Sequence, residues 1–321
     1  MNKKINIGIA ERLSKSKWNE KFLEALDKKI EKGIHFSYTI VNLDRSDWLQ
    51  QIKPYDIIIW KSPWMGQLSV HYKEKIYFIK NHLGKETMPN FDTIWHFDSK
   101  IAQNFLFEQY NIRSPKTFIT FNYQEAMNYI NQCEYPQILK LSAGSGSNHV
   151  KMLKHKRQAI KEIKKHFAKT LLWDQLKKIC DHQMFGSIYL QEFIPNNDSD
   201  LRITIIGDKY AFGFWRKNRK NDFRASGSGK LDYKREVPKE PINYCLEISK
   251  KLNFDSMAYD ILFDKDNFLI TEISYGYNQN AIYNAPGYYE RLEDNGIIFR
   301  KGHFWPQYLW VEWLFEKFKI Q

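Results

Sequence analysis

Cysteine is scarce in this chain: Cys133, Cys180 and Cys245 are the only three in 321 residues, and no two form a C-x-x-C pair. Neither a zinc knuckle nor a disulfide framework is indicated, and the three are expected to be buried, reduced thiols. The histidines show no ligand spacing either, so no zinc site is assigned. Long apolar runs are missing. The strongest, DIIIW at 56–60, reads as a strand and falls far short of the ~18 residues a membrane helix needs. The opening MNKKINIGIAERLSK enters a strand pattern at once, without the apolar core and cleavage site of a secretory signal, so a cytoplasmic protein is expected. Three catalytic signatures are also absent. No Gly-Lys-Ser or Gly-Lys-Thr follows the loop at 142–148, which excludes a P-loop. There is no H-R-D loop, and the segment at 221–224 is N-D-F-R rather than D-F-G, which excludes a protein kinase. No Ser-His-Asp or Cys-His set suggests a covalent nucleophile.

What is present describes a globular α/β chain. At 43% hydrophobic and 16% aromatic, it is long enough for two or three packed units. The net charge of +12 is unevenly placed: KMLKHKRQAIKEIKKHFAK at 151–169 carries +7 of it. Ala159, Ile160, Ile163 and Phe167 recur there at helical spacing, so the run reads as an amphipathic helix with a basic, solvated outer face. No nucleic-acid module pattern accompanies it, which makes a nucleic-acid partner the last-ranked reading.

Residues 5–60 alternate strand and helix, a small α/β unit with a parallel sheet. The breaker-rich NHLGKETMPN at 81–90 marks a boundary. Asp98 is the expected N-cap of a helix carrying Ile101, Ala102, Phe105 and Leu106. Strand TFITF at 117–121 precedes a capping box formed by Asn122 and Glu125. YPQILKLSAGSGSNHVKML then gives strand, small-residue loop, strand. The units are therefore expected at 1–90, 91–186 and 187–321. The tail at 304–320 reads as an amphipathic helix with Leu309, Trp313 and Leu314 inward.

The chemistry concentrates around SMAYDILFDKDNFLITEISYGYNQN at 256–280, two strands joined by a tight turn. If the turn pairs the strands around Lys265 and Asp266, Asp260 and Glu272 lie nearly opposite each other among apolar neighbours. Carboxylates in such a place need a partner, and a hard cation such as Mg²⁺ accepts them together with substrate phosphates. Two features upstream suit a polyphosphate. The loop Ser142-Ala143-Gly144-Ser145-Gly146-Ser147-Asn148 could wrap phosphate oxygens with backbone N–H groups. A second loop crowds Arg216, Lys217, Arg219, Lys220, Arg224 and Lys230, cations able to offset charge that moves during phosphoryl transfer.

Laid out in this order, the residues resemble an ATP-grasp enzyme, the family of glutathione synthetase, D-alanine:D-alanine ligase and the ribosomal-protein glutamate ligase. The resemblance covers about residues 91–290. It implies an ATP-grasp fold, with a small N-terminal α/β domain and two lobes clamping the nucleotide. It makes Lys100 and Lys140 phosphate-binding lysines, with the loop residues Ser142, Gly144, Ser145, Gly146 and Ser147 between the strands. Gln191, Glu192, Phe193 and Ile194 match the linker whose backbone reads adenine. Asp200 and Arg202 match a D-x-R element, Arg216 the strand-borne arginine facing substrate, and Asp222, Phe223 and Arg224 the D-F-R segment. Asp260 and Glu272 are the implied metal ligands. The chain departs from the family in two places. Glu272-Ile273-Ser274 stands for E-x-N, leaving Ser274 or Asn278 as third ligand, and ASGSGK lacks the usual arginine, leaving Lys230 as its nearest substitute.

The implied reaction is ATP-dependent joining of a carboxylate to an amine through an acyl phosphate, releasing ADP, with one or two Mg²⁺ ions or Mn²⁺ in their place. The alternatives are a phosphotransferase acting on a hydroxyl or amide, and a nucleotide-binding module without turnover. The segments IWHFDSKIAQNFL and EISYGY are also similar to an ATP-grasp group associated with bacterial surface polysaccharide synthesis, which implies small, sugar-linked substrates. Lys61, Ser62, Pro63, Trp64 and His71 are candidate acceptor contacts. Trp60, Trp64 and Trp95 read either as core or as sugar-stacking surfaces.

Overall fold

The computed structural model describes residues 4–11, 18–61, 66–142, 150–173, 186–220, 222–225 and 227–320. Strands β1 (Ile5–Ala10), β2 (Phe36–Val41), β3 (Ile57–Ile59) and β4 (Glu86–Met88) form a sheet in the order β2-β1-β3-β4, with all pairs parallel. Their crossovers are α1 (Trp18–Glu31), α2 (Trp48–Ile52) and α3 (Gly66–Leu83). The fourth strand lies within the segment read as a boundary. Thr87 and Met88 are buried there, because the sheet needs an outer strand beside Ile57–Ile59 whatever the local breaker content.

A short α4 (Phe91–Ile94) leads to α5 (Lys100–Gln109). Ser99, not Asp98, caps α5, its hydroxyl accepting from the Ala102 amide at 3.2 Å. Asp98 instead takes a positive φ of 56°, a conformation its short polar side chain tolerates. Beyond α5, β5 (Thr117–Thr120), β6 (Gln137–Lys140), β7 (Val150–Leu153) and β8 (Ile188–Glu192) make an antiparallel sheet ordered β5-β8-β6-β7. Helices α6 (Tyr123–Gln132) and α7 (Lys156–Trp173) share a small core with it, in which Ile130, Leu139, Ala159, Ile163 and Leu190 are buried. Asn122 caps α6 by accepting from the Glu125 amide at 2.9 Å. Glu125 turns its carboxylate onto Thr120, so the capping box is half made.

The largest sheet contains β9 (Ser199–Ile206), β10 (Tyr210–Lys217), β11 (Leu231–Asp232), β12 (Ser256–Asp264), β13 (Asn267–Ser274), β14 (Gly287–Arg291) and β15 (Ile297–Lys301). Its order is β13-β12-β9-β10-β14-β15, with β11 also on β10. Strand alternation gives this sheet two unlike faces. Leu201, Ile203, Tyr259 and Ile261 point to α8 (Lys239–Lys251), where Ile242 and Leu246 receive them. On the other face Ile206, Phe212, Phe214 and Ala258 pack with α10 (Pro306–Phe318) and the N-terminal unit, while the opposite end of that face is polar. Phe107 and Ile112, just before the small sheet in sequence, also belong to the large sheet's core.

Within α10, Leu309 and Leu314 are buried as expected, but Trp310 and not Trp313 joins them. Trp313 lies across Gly207, where a Cβ would sit 2.4 Å from the ring. Buried Asp255 ties the parts together, accepting from the Asn90 amide at 2.7 Å and from Lys317 Nζ at 2.6 Å. Cys245 is buried and reduced, Cys133 is reduced but partly exposed, and Cys180 lies outside the described residues. No helix among the described residues is long and apolar enough to cross a membrane.

Candidate active site

The polar end of the large sheet is built by cross-strand register. Asp260 stands opposite Glu272 on β13 and opposite Arg202 on β9, and Asp200, two residues before Arg202, stands opposite Arg216 on β10. Directly paired residues project from the same face, and so do residues two apart. Five charged side chains from four neighbouring strands therefore rise from one patch. A bulge sharpens it: Asp260 pairs with Glu272 but Ile261 with Ile270, so Thr271 is the extra residue. Its hydroxyl donates to the Asp260 carbonyl at 3.1 Å, and its own carbonyl faces Lys140 Nζ at 3.4 Å.

Charge in the patch is tightly paired. Arg202 forks onto Asp260, Nε to Oδ1 and Nη2 to Oδ2 at 2.8 Å each. Arg216 forks onto Asp200, Nε to Oδ1 at 2.6 Å and Nη2 to Oδ2 at 2.5 Å, and the same Nη2 reaches Asp260 Oδ2 at 2.8 Å. Burial works to raise the Asp260 carboxyl, yet Arg202 and Arg216 outweigh it and hold the group below the usual range. Burial raises Asp200 against the pull of Arg216, and the fork uses both of its oxygens as acceptors, which only the carboxylate offers. For Arg216 burial acts downward, but the two aspartates more than offset it and keep the guanidinium charged.

Opposite this floor, the small sheet and α5 bring cations. Lys100, the first residue of α5, lies 3.6 Å from Glu272 and is nearly buried, whereas the Glu272 side chain keeps 36% exposure. Lys140 ends β6 and donates to Gln191 Oε1 at 2.6 Å, and Gln191 in turn donates to Thr117 at 3.0 Å and Tyr189 at 3.2 Å. Burial pulls the Lys140 ammonium down to about 8, with Glu272 opposing.

The cleft between these elements is lined by Lys140, Gln191, Glu192, Phe193 and Ile194 on the small-sheet side and by Asp200, Arg216, Asp260, Thr271 and Glu272 below. Phe223 and Arg224 close another side. Phe193 and Phe223 meet edge to face with centroids 5.9 Å apart, and Arg224 forks onto Asp222 with Nε at 2.9 Å and Nη2 at 2.6 Å.

Several sequence-predicted residues sit elsewhere. Lys230 is exposed; its carbonyl accepts from the Lys217 amide at 2.9 Å and its amide donates to the Ser228 hydroxyl at 3.2 Å. Ser274 is turned to Gly276, donating to its carbonyl at 3.0 Å, and Asn278 caps α9 (Gln279–Tyr283) by accepting from Asn280 and Ala281 amides. Neither is among the residues lining the cleft. Ser142 accepts from the Lys100 amide at 2.9 Å, while Gly144, Ser145, Gly146 and Ser147 lie outside the described residues. Trp60 is core, its indole donating to the Pro89 carbonyl at 2.8 Å. Lys61 sits 3.9 Å over Trp18, His71 pairs with Glu74 at 3.0 Å, and Ser62, Pro63 and Trp64 are outside the described residues.

Sequence reading missed Thr271 and Gln103. Gln103 is buried and accepts the Ile273 amide at 3.2 Å, steadying β13 beside Glu272. Both left a signal. Gln103 follows Lys100 by three residues, hence on the same helix face. Ile270 and Ile273, both buried, are spaced by three where a regular strand requires an even number, which betrays the bulge.

The donor set suits a hard divalent cation. Two carboxylates share one face, Glu272 is only loosely engaged, and the other nearby ligands are oxygens. No group of three or more Asp, Glu, His or Cys able to hold a metal occurs among the described residues. Mg²⁺ fits such a place because it takes one or two carboxylates and completes its shell with phosphates and water.

Comparisons with known proteins bear on the fold and the family. The alpha-aminoadipate–LysW ligase LysX of Saccharolobus solfataricus is 24% identical over 266 residues, covering 80% of this chain and 88% of that protein. Among solved structures, the RiPP-associated ATP-grasp ligase of Chryseobacterium gregarium, bound to ADP and a leader and core peptide, superposes with a TM-score of 0.60 at 14% identity, covering 87% of this chain and 92% of that one. A RimK domain ATP-grasp protein from Sphaerobacter thermophilus gives 0.59 at 12%, covering 86% and 93%. The model of the RimK-like ATP-grasp domain matches residues 98–283, more than half of the sequence, and the chain belongs to this family of ATP-grasp ligases.

Proposed function

We propose that this protein is an ADP-forming carboxylate–amine ligase. The observation that carries the reading is the meeting of Asp260 and Glu272 at paired positions on β12 and β13 with Lys100 and Lys140 above them. Lys100 and Lys140 would hold the β- and γ-phosphates of ATP, and the backbone of Glu192–Ile194 the adenine, with Phe193 and Phe223 as apolar walls. A Mg²⁺ ion held by Asp260 and Glu272 would supply charge neutralisation at the phosphates.

A substrate carboxylate oxygen attacks the γ-phosphorus, the bond to the bridging oxygen breaks, and ADP leaves with the electron pair. The amine nitrogen then attacks the acyl carbon, the C–O bond to phosphate breaks, and the nitrogen gives up its proton as the amide forms. Arg216, whose charge is fixed by the two aspartates, and Arg202 beside it would stabilise the negative charge that builds on the transferring group and on the tetrahedral intermediate. The N-terminal unit, residues 1–90, would present the acceptors to the lobes at 91–186 and 187–321, with Lys61 at its edge.

The acceptor class follows from the relatives. LysX is named for joining α-aminoadipate to LysW, and the Chryseobacterium enzyme holds a peptide, so an acceptor with a free carboxylate, amino acid or peptide, is the first choice. Uronic and nucleotide sugars form the second arm of the screen. Acceptor-stimulated, Mg²⁺-dependent ADP release with mass spectrometry of the product tests the reading. AMP and pyrophosphate as products, or a phosphorylated acceptor that persists without amine, would overturn it.

A further inference from the structure

By resemblance the backbone of Gln191 belongs to the adenine linker, but its side chain is engaged elsewhere. Register sets Lys140 opposite Tyr189 and Thr117 opposite Gln191, and Tyr189 and Gln191 are two apart on β8, so all four side chains rise from one face of the small sheet. Gln191 is 3% exposed. Its Oε1 accepts from Lys140 Nζ at 2.6 Å, and its Nε2 donates to Thr117 Oγ1 at 3.0 Å and to the Tyr189 hydroxyl at 3.2 Å. Thr117 donates in turn to the Pro115 carbonyl at 2.9 Å. An ammonium offers only donors, so Lys140 fixes the amide with its oxygen toward the cleft.

The Lys140 ammonium is pulled toward the opposite wall. Glu272 and Asp260 attract it from the large sheet, Lys100 opposes its charge, and so does burial. The Thr271 carbonyl lies 3.4 Å from it and the Tyr189 ring 5.8 Å. A carboxylate at position 191 would cancel the ammonium, and an apolar side chain would release it to the acids below. A neutral carbonyl does neither. We propose that Gln191 is a positioning residue: its amide oxygen tethers Lys140 to the small-sheet wall with its charge uncancelled, so that the ammonium meets the nucleotide phosphates instead of collapsing onto Glu272 and Asp260. Gln191 then acts on the phosphates through Lys140, and its side chain contributes nothing to recognition of the base. The proposal rests on the nucleotide reading above.

The test compares ADP with adenosine, each competed against a fluorescent ATP analogue at one fixed Mg²⁺ concentration and without acceptors. The readout is the factor by which ADP binds tighter than adenosine. In Gln191→Met that factor should fall about ten- to a hundredfold, the scale on which a charged group loses a hydrogen-bond partner, while adenosine affinity stays within about threefold of wild type. Gln191→Glu should lower the factor as well, because the carboxylate cancels the ammonium. Lys140→Met should lower it further than Gln191→Met does, and Lys140→Met/Gln191→Met should match Lys140→Met, since a residue that acts through another has no effect once that one is gone. Adenosine and ADP weakened in equal proportion in Gln191→Met would make Gln191 a support of the lobe or of the base, and would overturn the proposal. So would a factor kept at the wild-type level in Gln191→Glu, or a double variant weaker than Lys140→Met by the full effect of Gln191→Met. Should Gln191→Met not fold, Gln191→Glu and the double variant decide by the same outcomes. A wild type that binds ADP no tighter than adenosine would refute the ligase reading instead.

Discussion

The two walls of the cleft treat charge in opposite ways. On the large sheet, Asp200, Arg216, Asp260 and Arg202 form an alternating chain in which each acid faces a guanidinium and each guanidinium an acid. On the other wall Lys140 is held by a neutral amide, and Lys100 faces Glu272 only at 3.6 Å. The four charges of that chain cancel and lock one another, which leaves Glu272 as the floor's surplus negative charge, whereas the roof and α5 bring the lysine ammonium groups. Packing repeats the contrast: the floor shares cores with the N-terminal unit and α10, and the small sheet has a core of its own. A triphosphate between the walls would complete the roof's electrostatics and leave the floor's intact, and a small sheet with a separate core can shift as the nucleotide enters or leaves.

The largest expected effect comes from breaking the floor. Asp260→Ala takes away the carboxylate that Arg202 forks onto and leaves buried Arg216 with Asp200 alone, so it should abolish turnover and also cost about 3–5 kcal/mol in denaturant unfolding, the scale for breaking a buried pair. Turnover lost with stability intact would mean that the chain is not the locked unit described. Glu272→Gln sharpens the comparison from the looser partner. Its kcat should fall on the order of 10²- to 10³-fold, as when one preorganised electrostatic group is removed. Its unfolding free energy should stay within about 0.5 kcal/mol of wild type, as for a partly exposed side chain. A large stability loss in Glu272→Gln would erase the distinction between the two acids.

The roof makes a pH-dependent prediction. Lys140 must carry its proton to hold phosphate, and burial sets its pKa in the free protein to about 8. Bound phosphate favours the charged form and raises that value, so a proton is taken up on binding above pH 8. Nucleotide affinity should be full below pH 8 and fall above it by at most about tenfold per pH unit, one proton being involved. Titration calorimetry from pH 7 to 9.5 checks the slope, and Lys140→Arg should flatten it. A slope retained in Lys140→Arg would assign the proton to another group.

Much of this contrast was readable in the chain, for reasons that differ by residue. That Asp260 and Glu272 come close follows from the two-residue turn at Lys265 and Asp266, since turn length fixes register, but that register alone would set Asp260 against Thr271, and the bulge there shifts the pairing by one to Glu272. Lys265 does take a positive φ of 54°. The neighbours of Asp260 across β9 were not readable, because β9 and β12 are joined through some fifty intervening residues and no local rule sets which strands meet. Sequence therefore marks Arg216 only as one of a crowd of cations and, by resemblance, as facing substrate, and Arg202 only as part of a D-x-R element, without their ties to Asp260 and Asp200. The Ser99 cap was within reach, because Ser is as good a cap as Asp; the two are adjacent, and sequence cannot choose between them. Ser274 and Asn278 carry suitable oxygens, but the first bends back onto Gly276 and the second caps α9, local backbone uses that compete with ligation.

The smallest effect is expected where the walls meet without charge. Phe193 belongs to the linker after β8, and Phe223 to the loop beyond β10, so their edge-to-face contact at 5.9 Å joins roof to floor at the adenine end. Such a pair contributes about 0.5–1.5 kcal/mol beyond the area it buries. Phe193→Ala should accordingly weaken ATP binding about three- to tenfold, seen as a raised KM for ATP with kcat within about twofold, because the phosphate-binding groups are untouched. Phe223→Ala should do the same, and the double variant should cost less than the product of the two, since the contact can be lost only once. Strict multiplicativity would mean that the rings act on the nucleotide separately, and the cleft would then be held shut by its phosphate end alone.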